Sequence, residues 1–295
     1  MTKLSALLLL LALPGLAAAD VPAAPPLDQG TRDYVRFKEA GGQPDALEVS
    51  IVGFAPAAGG SGPEYRVDLV SAVHVGDDSY YQYLNERLKK YDVVLYELVA
   101  PQGTRVPKGG FDPDRENKSF AARLQGGMKD VLELSYQLEQ VDYSPKHFVH
   151  ADLSPEEFDA SMKSRGESFF QLLLNAWLTG LAYPQQSMAV SDFDLIAALF
   201  SDDRPRRLKI LMARQFHHMD QMMRLLDGGE QGSTLISVRN QRALDVLREQ
   251  IGKGHQRIAI FYGAGHMMDL ADRLETDFQL RAVEQTWVNA WDLKP

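Results

Sequence analysis

The sequence predicts an α/β fold: a mainly parallel central sheet with flanking helices and an inserted helical subdomain. Three observations predict it. Asp92–Leu98 (DVVLYEL) and Arg257–Tyr262 (RIAIFY) are short, apolar and rich in β-branched residues, as strands buried on both faces require. A third strand-like run ends at His74, and Tyr80, Tyr83, Leu84 and Leu88 follow it at helical spacing. Strand, helix and strand in that order form a βαβ unit, which is parallel and right-handed.

The elements follow in chain order. Leu47–Phe54 and Tyr65–Val73 are β-rich runs around a Gly/Pro/Ala-rich turn, which predicts a hairpin feeding the sheet. Asp77 and Asp78 are placed to cap a helix over Ser79–Lys90. Val99–Lys118, with three prolines and three glycines, reads as a long loop just past a strand end. Phe148–Asp152 (FVHAD) is a short strand or an extended entry, and Ser154-Pro155-Glu156-Glu157 is a capping box that opens a helix through Arg165. Phe169–Ala182 and Phe193–Phe200 are too apolar for surface helices and too short to span a bilayer, so they read as buried helices of a lid or subdomain. Arg206–Leu226 and Ser237–Ile251 are amphipathic helices. After Arg257–Tyr262 come a glycine turn, a helix over Met267–Glu275, and a closing strand or strand pair within Phe278–Asp292.

The first 19 residues stand apart. Lys3 supplies a positive start, Leu4–Leu13 is almost wholly apolar, and Ala17-Ala18-Ala19 offers small residues for cleavage before Asp20. That is the pattern of a secretory signal peptide and places the mature protein in the periplasm or outside the cell, with no stable membrane insertion. Residues 20–45 read as a leader or linker, and residues 46–295 as a single α/β domain with a helical insertion over about 119–235. With a net charge of −9 and no basic run, the chain is not a nucleic-acid binder. It has no cysteine, so zinc–thiolate, cysteine-protease and thiol-redox chemistry are excluded, and any metal must be held by His, Asp or Glu.

Chemistry in open α/β sheets gathers at the carboxyl ends of strands. His74 ends one strand, Glu97 lies near the end of DVVLYEL, and His266 follows RIAIFY through a glycine turn. A strand-end histidine alone is commonly a hydrogen-bonded core residue. A glutamate flanked by Leu95, Tyr96 and Leu98 is harder to dismiss, because an ionised carboxylate is rarely buried unless paired or metal-bound. Gly263 and Gly265 permit a sharp turn and close backbone approach. His150 and Asp152 share a face if their segment is extended, and could bind metal or merely cap the following helix. His217 and His218 are adjacent in a Met-rich helix and do not face one another.

The stretch SAVHVGDDSYYQYLNERLKKYDVVLYEL resembles the opening of the TraB/TIKI family, also called the pheromone-shutdown or GumN-type family. RIAIFYGAGHMMDL resembles its second GxxH motif, and Ser237-Val238-Arg239-Asn240 its Arg-Asn element. Ser71 departs from the pattern, standing where the first motif has glycine. The resemblance implies a fold related to erythromycin-esterase and ChaN-like proteins and a metal-dependent hydrolase acting on peptides. His74, Glu97 and His266 would then be metal ligands or catalytic groups, Glu97 alternatively the general base. Arg239 would contact substrate or pair with Glu97, and Asn240, Gly263 and Gly265 would support them. Two imidazoles and a carboxylate suit a divalent ion, Mn, Co, Fe or Zn, which lowers the pKa of bound water. Two other readings stand beside this one: a non-enzymatic scaffold that binds haem, metal or peptide, and an ester hydrolase in which His74 or His266 activates water without metal.

Overall fold

A computed structural model describes residues 33–56, 65–110, 134–167, 200–226 and 232–295, together with Leu132, Ala197 and Ala198. The expected signal peptide, the helix at Phe169–Ala182 and most of Phe193–Phe200 lie outside the described residues.

The main sheet contains strands β1 (Val35–Ala40), β2 (Gln43–Pro56), β3 (Arg66–Ala72), β5 (Val93–Tyr96), β7 (Phe148–His150), β8 (Arg257–Gly263) and β9 (Leu280–Asp292). Two-residue strands β4 (Val75–Gly76) and β6 (Ser135–Tyr136) pair separately. The helices are α1 (Asp78–Leu88), α2 (Gln137–Gln140), α3 (Pro155–Ser164), α4 (Arg204–Leu226), α5 (Arg239–Gly252) and α6 (Met267–Asp277). The α/β class is therefore observed.

The sheet itself is mixed rather than mainly parallel. Strands β3, β8, β5 and β7 run parallel in that order, while β1, β2 and β9 add an antiparallel half. One edge of β2 takes β9 along most of its length, and the other edge is shared by β1 and β3. The hairpin of β2 and β3 is present, but the two strands of the βαβ unit are not neighbours, because β8 lies between them. Strand β1 and the start of β2 occupy the stretch expected as linker, and Tyr34 just before them is fully buried. The expected helical insertion carries β6 and β7 as well as helices, and β7 belongs to the main sheet. The closing segment is one strand, not a pair.

Why the central runs are apolar throughout is plain from the two core layers. On β5, Val94 and Tyr96 face a cluster with α1 and α4, while Val93 and Leu95 face α5 and α6. On β8, Ala259 and Phe261 take the first side, and Ile258, Ile260 and Tyr262 the second. Each fully buried side chain of this size contributes about 1.5–3 kcal/mol, so neither face can be made polar. Helix α1 buries Tyr80, Tyr81, Leu84 and Leu88 and leaves the expected Tyr83 40% exposed. Asp77 occupies the N-cap position but makes no side-chain cap. Its carboxylate instead accepts from Lys209 at 2.9 Å and from the Asp292 backbone at 2.5 Å, tying α4 and β9 together. Helix α3 has the expected capping box, with Ser154 and Glu157 each accepting from the other's backbone.

Candidate functional site

Parallel register brings the carboxyl ends of four strands to one rim. Ala72 pairs with Gly263, and Tyr96 pairs with both Phe261 and His150. The residues just past those ends are His74, Glu97, Asp152 and the turn Ala264–His266. Glu97 continues the ladder, its N–H donating to the Phe261 carbonyl at 3.2 Å. Arg239 reaches the rim as the first residue of α5, directly after a π-helical turn at Thr234–Val238 that is capped by Ser233. Single π-turns of this kind are frequent at functional sites.

Arg239 is the hub. Its Nη2 donates to Glu97 Oε1 at 2.7 Å and to Asp152 Oδ2 at 2.6 Å, and its Nε donates to Asp152 Oδ1 at 3.0 Å. Nη1 lies 3.4 Å from His266 Nε2, which is in turn 3.5 Å from Glu97 Oε1. The other Glu97 oxygen accepts from the Gly263 N–H at 2.6 Å. A Cβ on Gly263 would stand 3.2 Å from Glu97 Oε2 and 3.7 Å from His74 Nε2, so this glycine is needed for close approach. Its φ is −57°, which any residue adopts, and Gly265 lies inside the 3-10 turn that leads to His266.

Burial opposes ionisation of Glu97, but Arg239, His266 and His74 outweigh it and hold the carboxyl well below the ordinary range. Burial likewise opposes the Arg239 charge, and Glu97 and Asp152 outweigh that, raising its proton affinity further. Burial, with the Asp152 charge, pushes the Tyr262 hydroxyl well up, so it remains a donor, bonded to the Ala151 carbonyl at 2.5 Å. Its ring meets the His266 ring edge-on at 5.2 Å.

The structure thus draws Glu97, Arg239 and His266 together, with His74 beside Gly263 and exposed to solvent. Asp152, with its side chain fully buried, joins them through Arg239, and Asn240 joins by bonding His266 Nδ1 at 2.7 Å. His150 does not join: its Nε2 lies 2.5 Å from the Leu98 carbonyl and its Nδ1 is buried without a partner. Ser71, at the departure from the resembled motif, is fully buried and donates to the Tyr34 carbonyl at 3.3 Å. Asp269, which accepts from Asn240, carries no sequence motif; its position three residues after His266, one helical turn on, is the signal that points to it.

Arg239 bears on the metal expectation. The guanidinium already engages Glu97 Oε1 and abuts His266 Nε2, the atoms that a shared ion would take. Among the described residues no three His, Asp or Glu side chains converge to hold an ion. No family model, curated protein or solved structure matches the chain.

Proposed function

We propose that this protein is a metal-independent hydrolase of ester or peptide carbonyls, working at the strand-end rim and outside the cytoplasm. The observation that supports it is the Arg239–Glu97 pair. A carboxylate held well below its ordinary range, with both oxygens already accepting hydrogen bonds, is too weak a base to take a proton from water at neutral pH. The base is then an imidazole. His266 is buried, with Nε2 3.4 Å from Arg239 Nη1, whereas His74 is exposed and flanks the same carboxylate. His74 takes the proton of the attacking water, ionised Glu97 stabilises the imidazolium that results, and His74 returns that proton to the leaving alcohol or amine as the acyl bond breaks. The amino-terminal end of α6, whose dipole favours developing negative charge, stands at the same rim.

Turnover of an ester and peptide panel tests this, with and without a chelator. The expected result is hydrolysis that ignores the chelator and is lost in His74→Gln. Ligand binding with no turnover of any member would favour the binding-protein reading instead.

The resemblance to TraB/TIKI proteins, and through them to the erythromycin-esterase and ChaN-like fold, supports a second reading, a metal-dependent peptidase. One observation favours it: Asn240 takes Nδ1 of His266, and ligating histidines are commonly oriented through their second nitrogen. That reading requires Arg239 to leave Glu97. Loss of activity on chelation, restored by Mn, Co, Fe or Zn, would replace the first reading with it. The N-terminal signal pattern supports a periplasmic or secreted location.

A further inference from the structure

Asp269 plays no part in the proposed reaction, yet it closes a chain of hydrogen bonds that ends on His266. It stands in the first turn of α6, where the helix dipole also favours a carboxylate. Its Oδ2 accepts from Asn240 Nδ2 at 2.8 Å and its Oδ1 from Arg273 Nε at 2.9 Å. Arg273 is held on its other side by Gln241 Oε1 at 2.9 Å, so the Asp269 carboxylate is fixed.

The same Asn240 Nδ2 donates to the His266 carbonyl at 3.1 Å. Both neighbours of that nitrogen can only accept, so the amide cannot be turned over without setting oxygen against oxygen. Asn240 Oδ1 must therefore face His266 Nδ1, 2.7 Å away, and an amide oxygen there demands an N–H. Asn240 is fully buried and His266 only 5% exposed, so water does not compete for these bonds. The ring proton of neutral His266 then sits on Nδ1. Nε2 keeps its lone pair, 3.4 Å from Arg239 Nη1.

We infer that Asp269 is a positioning residue which, through Asn240, selects the Nδ1–H tautomer of His266 and keeps Nε2 an acceptor toward Arg239. The role rests on the hydrolytic reading of the rim, while the tautomer itself is independent of turnover.

Nitrogen-15 NMR of the histidine rings in the purified chain tests it, at a pH where the rings are neutral, with His266→Gln assigning the signals. In the wild type, His266 Nε2 is expected to be pyridine-like and Nδ1 pyrrole-like. Asp269→Ala leaves Asn240 Nδ2 only its longer bond to the His266 carbonyl, so the amide turns over more readily and the Nε2 signal moves toward the pyrrole-like region. Asp269→Asn, whose carbonyl oxygen can still accept from Asn240, restores the wild-type spectrum. An Nε2–H tautomer in the wild type, or an unchanged spectrum in Asp269→Ala, overturns the inference; the first needs no variant to fold. The expected spectra with no turnover of any substrate would uphold Asp269 and sink only the hydrolytic reading.

Discussion

Arg239 Nη2 lies 2.7 Å from Glu97 Oε1 while the same guanidinium grips Asp152 through two nitrogens. One cation thus pairs with two carboxylates that come from different strand ends, leaving the trio one negative charge. The rim holds together because that cation is planar and forked, which a lysine is not. Arg239→Lys is expected to retain the fold and lose turnover by at least about 100-fold, the scale of removing a preorganised donor. Far-UV circular dichroism beside kinetics checks it; full activity in the lysine variant would mean that the fork has no role.

Glu97→Gln removes the carboxylate but leaves Arg239 its bond to Asp152. Breaking a buried pair costs about 3–5 kcal/mol, and the surviving partner puts this case at the low end. The pH dependence has a definite sign. Glu97 is depressed in the folded chain, so its contribution is fully present above the unfolded value of about 4.3 and is lost as pH falls through the lower folded value. Urea midpoints measured from neutral to strongly acid pH should converge for the two proteins at the acid end. Parallel curves would contradict the assignment.

Gly263→Ala places a methyl group 3.2 Å from Glu97 Oε2 and 3.7 Å from His74 Nε2. The carboxylate must shift by a few tenths of an ångström, which also strains its bond from the Gly263 N–H. Stability should fall by no more than about 1 kcal/mol, whereas displacement of reacting groups costs about 10-fold or more in kcat. Thermal midpoints and steady-state kinetics separate the two effects.

Ser154→Ala is the control: Ser154 touches none of the reacting groups, although it lies two residues after Asp152. It deletes the N-cap that accepts from Glu157 N at 3.1 Å, at a cost of about 1 kcal/mol. Turnover should be unchanged. A loss of activity would show that α3 orders the rim through Asp152.

Much of this was legible in the sequence because it is local. Apolar runs report strands buried on both faces, so β5 and β8 stand within a few residues of their expected places, and the Ser154–Glu157 box marks the start of α3. Residue type also singles out Glu97, since a carboxylate amid Leu95, Tyr96 and Leu98 needs a partner. Which partner it has is not local. Only the folded sheet inserts β8 between β3 and β5, adds β2 and β9 antiparallel, and carries Arg239 between Glu97 and Asp152. A strand apolar on both faces reveals that it is covered, not what lies beside it. Neighbour order and charge pairing come from contacts between segments distant in the chain, and those exist only once the core has packed.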